Sequence, residues 1–292
     1  MTETNLTIPA KDGYDLSAVL RKPEKGSKGF IQIHCGTGIP QKLYANFAKF
    51  LTQNGYITLT FDYRGIGKSR PKSLKGFEAF IRDWGQKDMV GVLNWAIDNL
   101  PDEKKIIIVH SMGGQMVGLM ENNDQIDQLV LIASSTGYWK DMSKPFRYLL
   151  PPFWFLYIPM SIAIHGYANA KKIRQGEDLP KGVAEEWQKW CINPNYFETE
   201  FGKTLKPLYF DQIEIPIKSI QVADDPIANE ITCNKLLSYY TNATTKVQQI
   251  KPQDLGVSKI GHAGFFSRKF KDSLWKDLLG DINTSQKDHV QL

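Results

Sequence analysis

The stretch "KIIIVHSMGGQ", Lys105 to Gln115, joins a run of β-branched residues to a serine and two glycines. A continuous apolar run of this kind is typical of a central parallel strand that is covered on both faces. Its end approaches the pattern G-x-S-x-G, which holds a serine on a sharp strand-to-helix turn with the hydroxyl exposed. Val109 stands where the first small residue is expected, and Gly113 supplies the last. Ser111 is therefore a candidate nucleophile, with a serine that caps the following helix as the alternative.

Strand-like and helix-like patterns alternate on both sides of this stretch. Helix-like patterns occupy residues 41–55 (Leu43, Phe47 and Leu51 on one face), 80–103, 112–123, 228–242 and 265–282. Short apolar or alternating runs occupy residues 15–21, 29–35, 56–63, 104–110, 126–135, 215–223 and 245–251. Strands that alternate with helices of this length predict an α/β fold with a doubly wound, mostly parallel sheet.

The section from residue 138 to residue 208 does not follow the alternation. It is dense in Trp, Tyr, Phe and Pro. We expect residues 1–137 and 209–292 to form the core, and residues 138–208 to form an inserted helical cap, or lid, over the carboxyl edge of the sheet, where ligands bind in open α/β folds.

One part of this section, "YLLPPFWFLYIPMSIAIHGY" from Tyr148 to Tyr167, is nearly uncharged and about long enough to span a membrane. Pro151, Pro152 and Pro159 interrupt it. A buried or substrate-facing cap segment is therefore favoured, and membrane association is not.

Two further stretches supply partners for a nucleophilic serine. "SKIGHAGFF" places His262 on a loop after the last strand, where a general base is reachable. "QVADDPIAN" places Asp224 and Asp225 at the end of a strand, where an acid can orient the histidine. Either aspartate could instead cap the following helix. The chain order of serine, aspartate and histidine is the order used by one known arrangement of this triad.

A third stretch, "HCGTGIP" from His34 to Pro40, follows an early strand. Glycines allow the backbone N–H groups of such a loop to approach a developing oxyanion. The backbone N–H of Met112 is the expected second donor. A serine, its base, its acid and an oxyanion loop are thus all present in the chain.

With these features together, the chain resembles the α/β-hydrolase fold superfamily over essentially its whole length. The resemblance includes the D-x-R-G-x-G-x-S run from Asp62 to Ser69. The stretches "TGIPQKLY", "GEDLPKGVAEEWQKWC", "DDPIA" and "IGHAGFF" are more closely similar to a subgroup of predicted α/β-hydrolases whose substrates are poorly defined.

The resemblance implies that Ser111 is the nucleophile, His262 the base and Asp225 the acid. It favours Asp225 over Asp224 because Asp-Pro-Ile matches the usual position of the acid after this strand. The sequence departs from the family pattern at Val109 and at Cys35, which stands in the usual His-Gly pair. The second departure leaves Gly36 and Thr37 as alternative oxyanion donors beside Met112.

Composition narrows the expected partners and compartment. The 292 residues carry a net charge of +5, but no dense basic block interleaved with aromatic residues appears, so nucleic acid is not an expected partner. The three cysteines are far apart and the N-terminus lacks an apolar signal core, which favours the cytoplasm. "GIGKS" lacks the first glycine of a phosphate-binding loop, because residue 62 is Asp.

These observations predict a serine hydrolase that cleaves an ester, thioester or lipid-like acyl bond through an acyl-enzyme. The expected substrate is a small hydrophobic molecule, and the chemistry requires no cofactor or metal. The same site could instead cleave an amide or C–C bond or transfer an acyl group to an alcohol. A hydrolase-fold protein that only binds ligands is the remaining alternative, supported by Val109 alone.

Overall fold

The computed structural model describes residues 1–288, and eight strands of this part form one sheet in the order β1-β2-β4-β3-β5-β6-β9-β10. Two further strands of two residues each pair with one another outside the sheet. The strands are β1 (Thr2–Pro9), β2 (Asp15–Lys22), β3 (Phe30–His34), β4 (Ile57–Phe61), β5 (Lys105–His110), β6 (Gln128–Ile132), β7 (Tyr167–Ala168), β8 (Leu179–Pro180), β9 (Ile217–Val222) and β10 (Thr245–Ile250).

The sheet confirms the predicted doubly wound, mostly parallel architecture. Strands β4, β3, β5, β6, β9 and β10 pair in parallel, whereas β1, β2 and β4 pair antiparallel at one edge. Every residue of β3, β4 and β5 is buried, as expected for strands covered by helices on both faces. Strand β1 was not predicted, because its polar residues are exposed at the edge of the sheet and show no clear apolar alternation.

Helices cover the sheet. The helix predicted over residues 265–282 begins only at Leu274 and continues to Asp288, and residues Gly264–Phe266 and Arg268–Phe270 form 3₁₀ turns instead. The helices are α1 (Ala45–Gln53), α2 (Ile81–Asp83), α3 (Val90–Asn99), α4 (Gly113–Met116), α5 (Leu150–Pro152), α6 (Ile158–His165), α7 (Lys181–Cys191), α8 (Glu230–Leu237) and α9 (Leu274–Asp288). The expectation that Leu43 faces the core is wrong. It lies in a 3₁₀ turn before α1 and is 41% exposed, while its neighbour Tyr44 is buried.

The helix predicted over residues 112–123 is also shorter than expected. Helix α4 ends at Met116 and passes into a 3₁₀ turn, Val117–Leu119. The carbonyl of Val117 accepts a hydrogen bond from the Asn123 side chain, and the carbonyl of Gly118 accepts one from the backbone N–H of Tyr209. These bonds replace those that would continue the helix.

Between β6 and β9 the chain forms α5, α6, the β7–β8 pair and α7. Residues Phe146–His165 form one helical run that contains a π-helical turn, Phe153–Tyr157. Its prolines do not break the run, because each falls in the first turn of α5 or α6, where a missing N–H is tolerated. That this insertion acts as a cap stays a prediction.

The sequence favoured a buried or substrate-facing segment here, and the structure contradicts the first of these alternatives. One side of the run faces a cavity, but its other side is open to solvent. Within residues 1–288, this is the one helix that is long and apolar enough to cross a membrane, by length and composition alone. Only 22% of its most apolar window is buried.

Candidate active site

Ser111 stands on the turn between β5 and α4. Its φ of 54° lies in the left-handed region, which is unusual for a residue with a side chain. The turn is fixed at its start, because the backbone N–H of Ser111 donates to the carbonyl of Ile132 at 3.0 Å. This conformation lifts the hydroxyl out of the sheet and into an adjoining cavity.

Val109, the residue that departs from the expected pattern, fits because the helix residue that faces it, Gly113, has no side chain. Val109 is fully buried, and a Cβ at position 113 would come within 3.1 Å of the Val109 Cβ. A Cβ at position 114 would come within 2.7 Å of the Ser134 Cβ. Room for the valine is therefore left by the missing side chain of Gly113.

Hydrogen bonds join Ser111, His262 and Asp225 in a single line. The Ser111 Oγ lies 2.8 Å from His262 Nε2, and His262 Nδ1 lies 2.7 Å from Asp225 Oδ2. In the neutral histidine, Nδ1–H donates to the carboxylate and Nε2 accepts from the serine hydroxyl. The structure thus brings together the three residues singled out from distant parts of the sequence.

Asp225 is held as an anion by its surroundings. Burial raises its pKa, but the His262 ring and two backbone N–H groups outweigh burial and hold the pKa of this carboxyl below its usual value. Those N–H groups belong to Ile227 and Ala228, and both donate to Oδ1 at 2.8 and 3.0 Å. The helix-cap alternative does not apply, because Asn229 caps α8.

Asp224 has a different position from its neighbour. Its two carboxylate oxygens accept hydrogen bonds from the backbone N–H groups of Ile260 and Gly261 at 2.9 and 3.0 Å. These residues directly precede His262 in the chain. Asp224 therefore anchors the histidine loop, while Asp225 contacts the histidine ring.

The candidate oxyanion donors differ in whether their backbone N–H groups already have a hydrogen-bond acceptor. The N–H of Gly36 donates to the Tyr44 hydroxyl at 2.9 Å, and Gly36 does not line the cavity. Thr37 and Met112 do line it beside Ser111, and within residues 1–288 their backbone N–H groups donate to no protein acceptor. This geometry favours Thr37 over Gly36 as the partner of Met112, and the assignment stays a prediction.

Two residues that the sequence reasoning missed connect the oxyanion loop to the histidine loop. His110 Nε2 lies 3.0 Å from the backbone carbonyl of His262, so it must carry the proton. His110 Nδ1 then accepts from the Tyr44 hydroxyl at 2.7 Å, and that hydroxyl accepts from Gly36. In this series of hydrogen bonds every donor has one acceptor, and the directions are mutually consistent.

The protonation state of His110 agrees with the hydrogen-bond directions assigned to its two ring nitrogens. Full burial lowers the pKa of His110 to about 3, so the ring is neutral and can accept from Tyr44. A polar residue at the end of the apolar run of β5 is the signal that could have identified it from the sequence. Tyr44 had no such signal, because it is 66 residues away in the chain.

The D-x-R-G-x-G-x-S run has a structural role, in which Asp62 holds two loops together. The Asp62 carboxylate accepts from the backbone N–H groups of Gln41 and Lys68 at 2.7 and 2.9 Å. A side chain at position 67 would collide with this carboxylate, at 2.4 Å. Because a carboxylate occupies the loop, the "GIGKS" stretch cannot hold a phosphate in the manner of a nucleotide-binding loop.

A cavity of about 510 Å³ opens above Ser111 and His262. Most of its wall is apolar, and much of that wall comes from the insertion. The apolar lining consists of Ile39, Met112, Met142, Phe146, Leu149, Leu150, Phe153, Trp154, Ile158, Ala170, Ile173, Leu179, Trp187, Cys191 and Ile227. Such a site excludes water and suits a hydrophobic ligand.

Comparison with known proteins supports this assignment of the fold. Residues 30–156 match the family model described as the alpha/beta hydrolase fold. An esterase of Pyrococcus furiosus, Pf2001, is 16% identical with a TM-score of 0.58, and the alignment covers 96% of this chain and 89% of the esterase. No curated protein sequence matches the chain.

Two more solved structures have the same fold. A thermostable carboxyl esterase from Bacillus coagulans is 16% identical with a TM-score of 0.56, covering 97% of this chain and 99% of the other. A structure described as a bacterial membrane phospholipase A is 17% identical with a TM-score of 0.60, covering 98% and 86%.

The chain thus has the α/β-hydrolase fold, and its residues 30–156 match the model of that family. The fold and these matches support a hydrolase as the broad class of activity. The closer similarity to one subgroup stays a prediction.

Proposed function

We propose that this protein is a serine hydrolase that cleaves ester-like acyl bonds of hydrophobic substrates through an acyl-enzyme. The observation that carries the proposal is the bonded line from Ser111 through His262 to Asp225, at 2.8 and 2.7 Å, beneath an apolar cavity. A nucleophile, a base within reach of it and an acid that orients the base are the parts that acyl transfer requires.

In the first step, His262 Nε2 takes the proton of the Ser111 hydroxyl while Oγ attacks the carbonyl carbon of the substrate. The C–O bond to the alcohol then breaks, and the leaving oxygen receives the proton from His262. Asp225 holds the ring in place and stabilises its positive charge throughout. An acyl group remains bonded to Ser111.

In the second step, water replaces the alcohol. His262 takes a proton from the water molecule while the water oxygen attacks the acyl carbon. The bond from the acyl carbon to Ser111 Oγ then breaks, His262 returns the proton to Oγ, and the carboxylic acid leaves. During both steps the carbonyl oxygen becomes an anion. The backbone N–H groups of Thr37 and Met112 are the proposed donors to it, since neither has another acceptor among the described residues.

The apolar cavity supports a hydrophobic acyl or alkyl group as the bound portion of the substrate. Side chains of the insertion, including Phe153, Trp154 and Trp187, line the same cavity as Ser111. We therefore propose that residues 138–208 act as a cap that selects substrates by length and shape.

Steady-state hydrolysis of p-nitrophenyl esters with acyl chains from C2 to C12, and of matching anilides, tests the proposal. We expect turnover of esters, and a loss of about 10⁴-fold or more in kcat for Ser111→Ala. Ser134→Ala is the matched control, because Ser134 is buried nearby but does not line the cavity. Faster cleavage of the anilides than of the esters would assign the amide as the bond that is cleaved. Full activity of Ser111→Ala would refute the mechanism.

A further inference from the structure

The outer side of the Phe146–His165 helix presents large apolar side chains to solvent. Eleven large hydrophobic residues are exposed among residues 1–288, and six of them lie on this one helix. We call these six the outer face: Tyr148, Leu149, Phe155, Leu156, Met160 and Ile164, with exposures from 50% to 69%. Soluble proteins scatter exposed apolar residues, so a concentration of this kind marks a binding surface.

The outer face is also free of charge along its whole length. No charged residue occurs from Tyr148 to Ile164. Between four and five helical turns separate its ends, which corresponds to about 25 Å along the axis. A helix that is apolar on all sides is normally buried, whereas this helix packs only its inner side against the protein.

Cations precede and follow the outer face in the chain. Residues 140–176 contain six Lys or Arg and a single acidic residue, Asp141, which pairs with Lys235. Within the described part of the chain, Lys144, Arg147, Lys172 and Arg174 lie within 4 Å of no carboxylate. Their positive charge is therefore available to a partner.

We propose that the outer face docks on the surface of an anionic lipid bilayer. Apolar side chains would enter the boundary between headgroups and acyl chains, and the flanking cations would contact the anionic headgroups. Tyr148 and Phe155 supply the aromatic rings that favour this boundary. The charge pattern argues against a second copy on this face, because a two-fold contact would bring both sets of cations together.

The helix lies on the bilayer in this proposal and does not span it. Both of its ends return to the same fold. After His165, β7 pairs with β8, and the Tyr157 hydroxyl donates to the Asn169 carbonyl at 2.6 Å. The Trp154 ring packs edge-on against Trp187 of α7, with 4.9 Å between ring centroids.

Docking would bring the cavity to the lipid surface. Leu149, Ile173 and Arg174 are exposed and also line the cavity above Ser111, so the outer face and the cavity are continuous. An apolar substrate could then move from the bilayer to the cavity without crossing water. The docking itself does not depend on the proposed chemistry.

Flotation of the full-length protein with phosphatidylcholine vesicles, with and without 30% phosphatidylglycerol, tests the proposal. We expect binding to the anionic vesicles, at least tenfold weaker binding to the neutral ones, and weaker binding at high salt. Leu156→Glu/Ile164→Glu should reduce binding at least tenfold, whereas the control Ile231→Glu/Val247→Glu should change it less than twofold. None of these four residues lines the cavity.

Lys144→Gln/Lys172→Gln tests the cations without altering the apolar side chains. Its control is Lys246→Gln/Lys251→Gln, on other exposed lysines of the core. We expect the first pair alone to remove the preference for anionic vesicles. Ser111→Ala should bind vesicles like the wild type, which separates docking from the proposed function. Absence of vesicle binding, a test pair whose effect on binding equals that of its own control pair, or a dimer lost only in Leu156→Glu/Ile164→Glu would overturn the proposal.

Discussion

The two walls of the cavity are built on different principles. The core wall holds polar groups, each fixed by directional hydrogen bonds, as in the lines through His262 and through His110. The wall from the insertion is almost entirely apolar and is held by packing of aromatic rings. Under the proposed function, the core supplies the reaction and the insertion supplies the affinity for substrate.

The largest effect is expected in the core, where two adjacent aspartates make different contacts. Asp225→Asn should lower kcat by about 10³–10⁴-fold, because the amide no longer stabilises the His262 cation or its tautomer. Asp224→Asn should lower kcat by less than tenfold, since Asp224 contacts only the backbone of the loop. Stopped-flow or steady-state ester hydrolysis measures both. Equal losses for the two variants would contradict the assignment.

A smaller effect is expected from the connection between the two loops. Tyr44→Phe removes the hydroxyl that joins Gly36 to His110, and it leaves buried groups unpaired. We expect about a tenfold loss in kcat with little change in KM, and a loss of about 1–3 kcal/mol in the free energy of unfolding. Tyr56→Phe is the control, because its hydroxyl bonds to Asn283. If both variants keep full kcat, the connection is only structural.

Two buried histidines of the core make a prediction about the effect of acid on stability. Burial lowers the pKa of both His34 and His110 to about 3, whereas an unfolded histidine titrates near its ordinary value. Between pH 6.5 and about 3 the unfolded chain therefore binds more protons, and stability present above pH 6.5 is lost as the pH falls. Each histidine should remove about 1 kcal/mol per pH unit from the free energy of unfolding near pH 5.5. Because burial raises the pKa of Asp88 to about 7 and thereby opposes this slope, urea titrations at pH 7, 6 and 5 compare the wild type with His34→Gln. The variant should have the smaller loss of stability per pH unit, and an identical slope in the two proteins would contradict the prediction.

The smallest effect is expected in the insertion, where two phenylalanines of one helix face opposite ways. Phe153 lines the cavity, whereas Phe155 is 56% exposed and does not. Phe153→Ala should raise KM for a long-chain soluble ester about 3–10-fold with little change in kcat. Phe155→Ala should leave that KM unchanged. A rise in KM for Phe155→Ala alone would reverse the proposed orientation.

Sequence reasoning succeeded where a pattern reflects a local requirement. The β-branched run of β5 and the strand–helix alternation predicted the sheet, since burial on both faces demands such residues. It failed where the outcome depends on contacts between distant residues. The end of α4 is set by Asn123 and Tyr209, and the roles of Tyr44 and His110 depend on a contact across 66 residues.

The insertion shows the same limit in another form. A segment that is apolar on every side gives no periodic signal to distinguish its buried side from its exposed side. The sequence therefore predicted its composition and its place near the substrate, but not its outer face. The residue pattern alone left Asp224 and Asp225 as alternatives, the family resemblance favoured Asp225, and the fold gives the two carboxylates different contacts.

The most direct test of the central claim is the site of covalent modification by a fluorophosphonate. After labelling, trypsin releases one peptide from Ile106 to Lys140, which contains Ser111, Ser134 and Ser135. We predict that tandem mass spectrometry finds the phosphonate on Ser111 alone, and that Ser111→Ala is not labelled. An adduct on Ser134 or Ser135, or equal labelling of Ser111→Ala, would contradict the account.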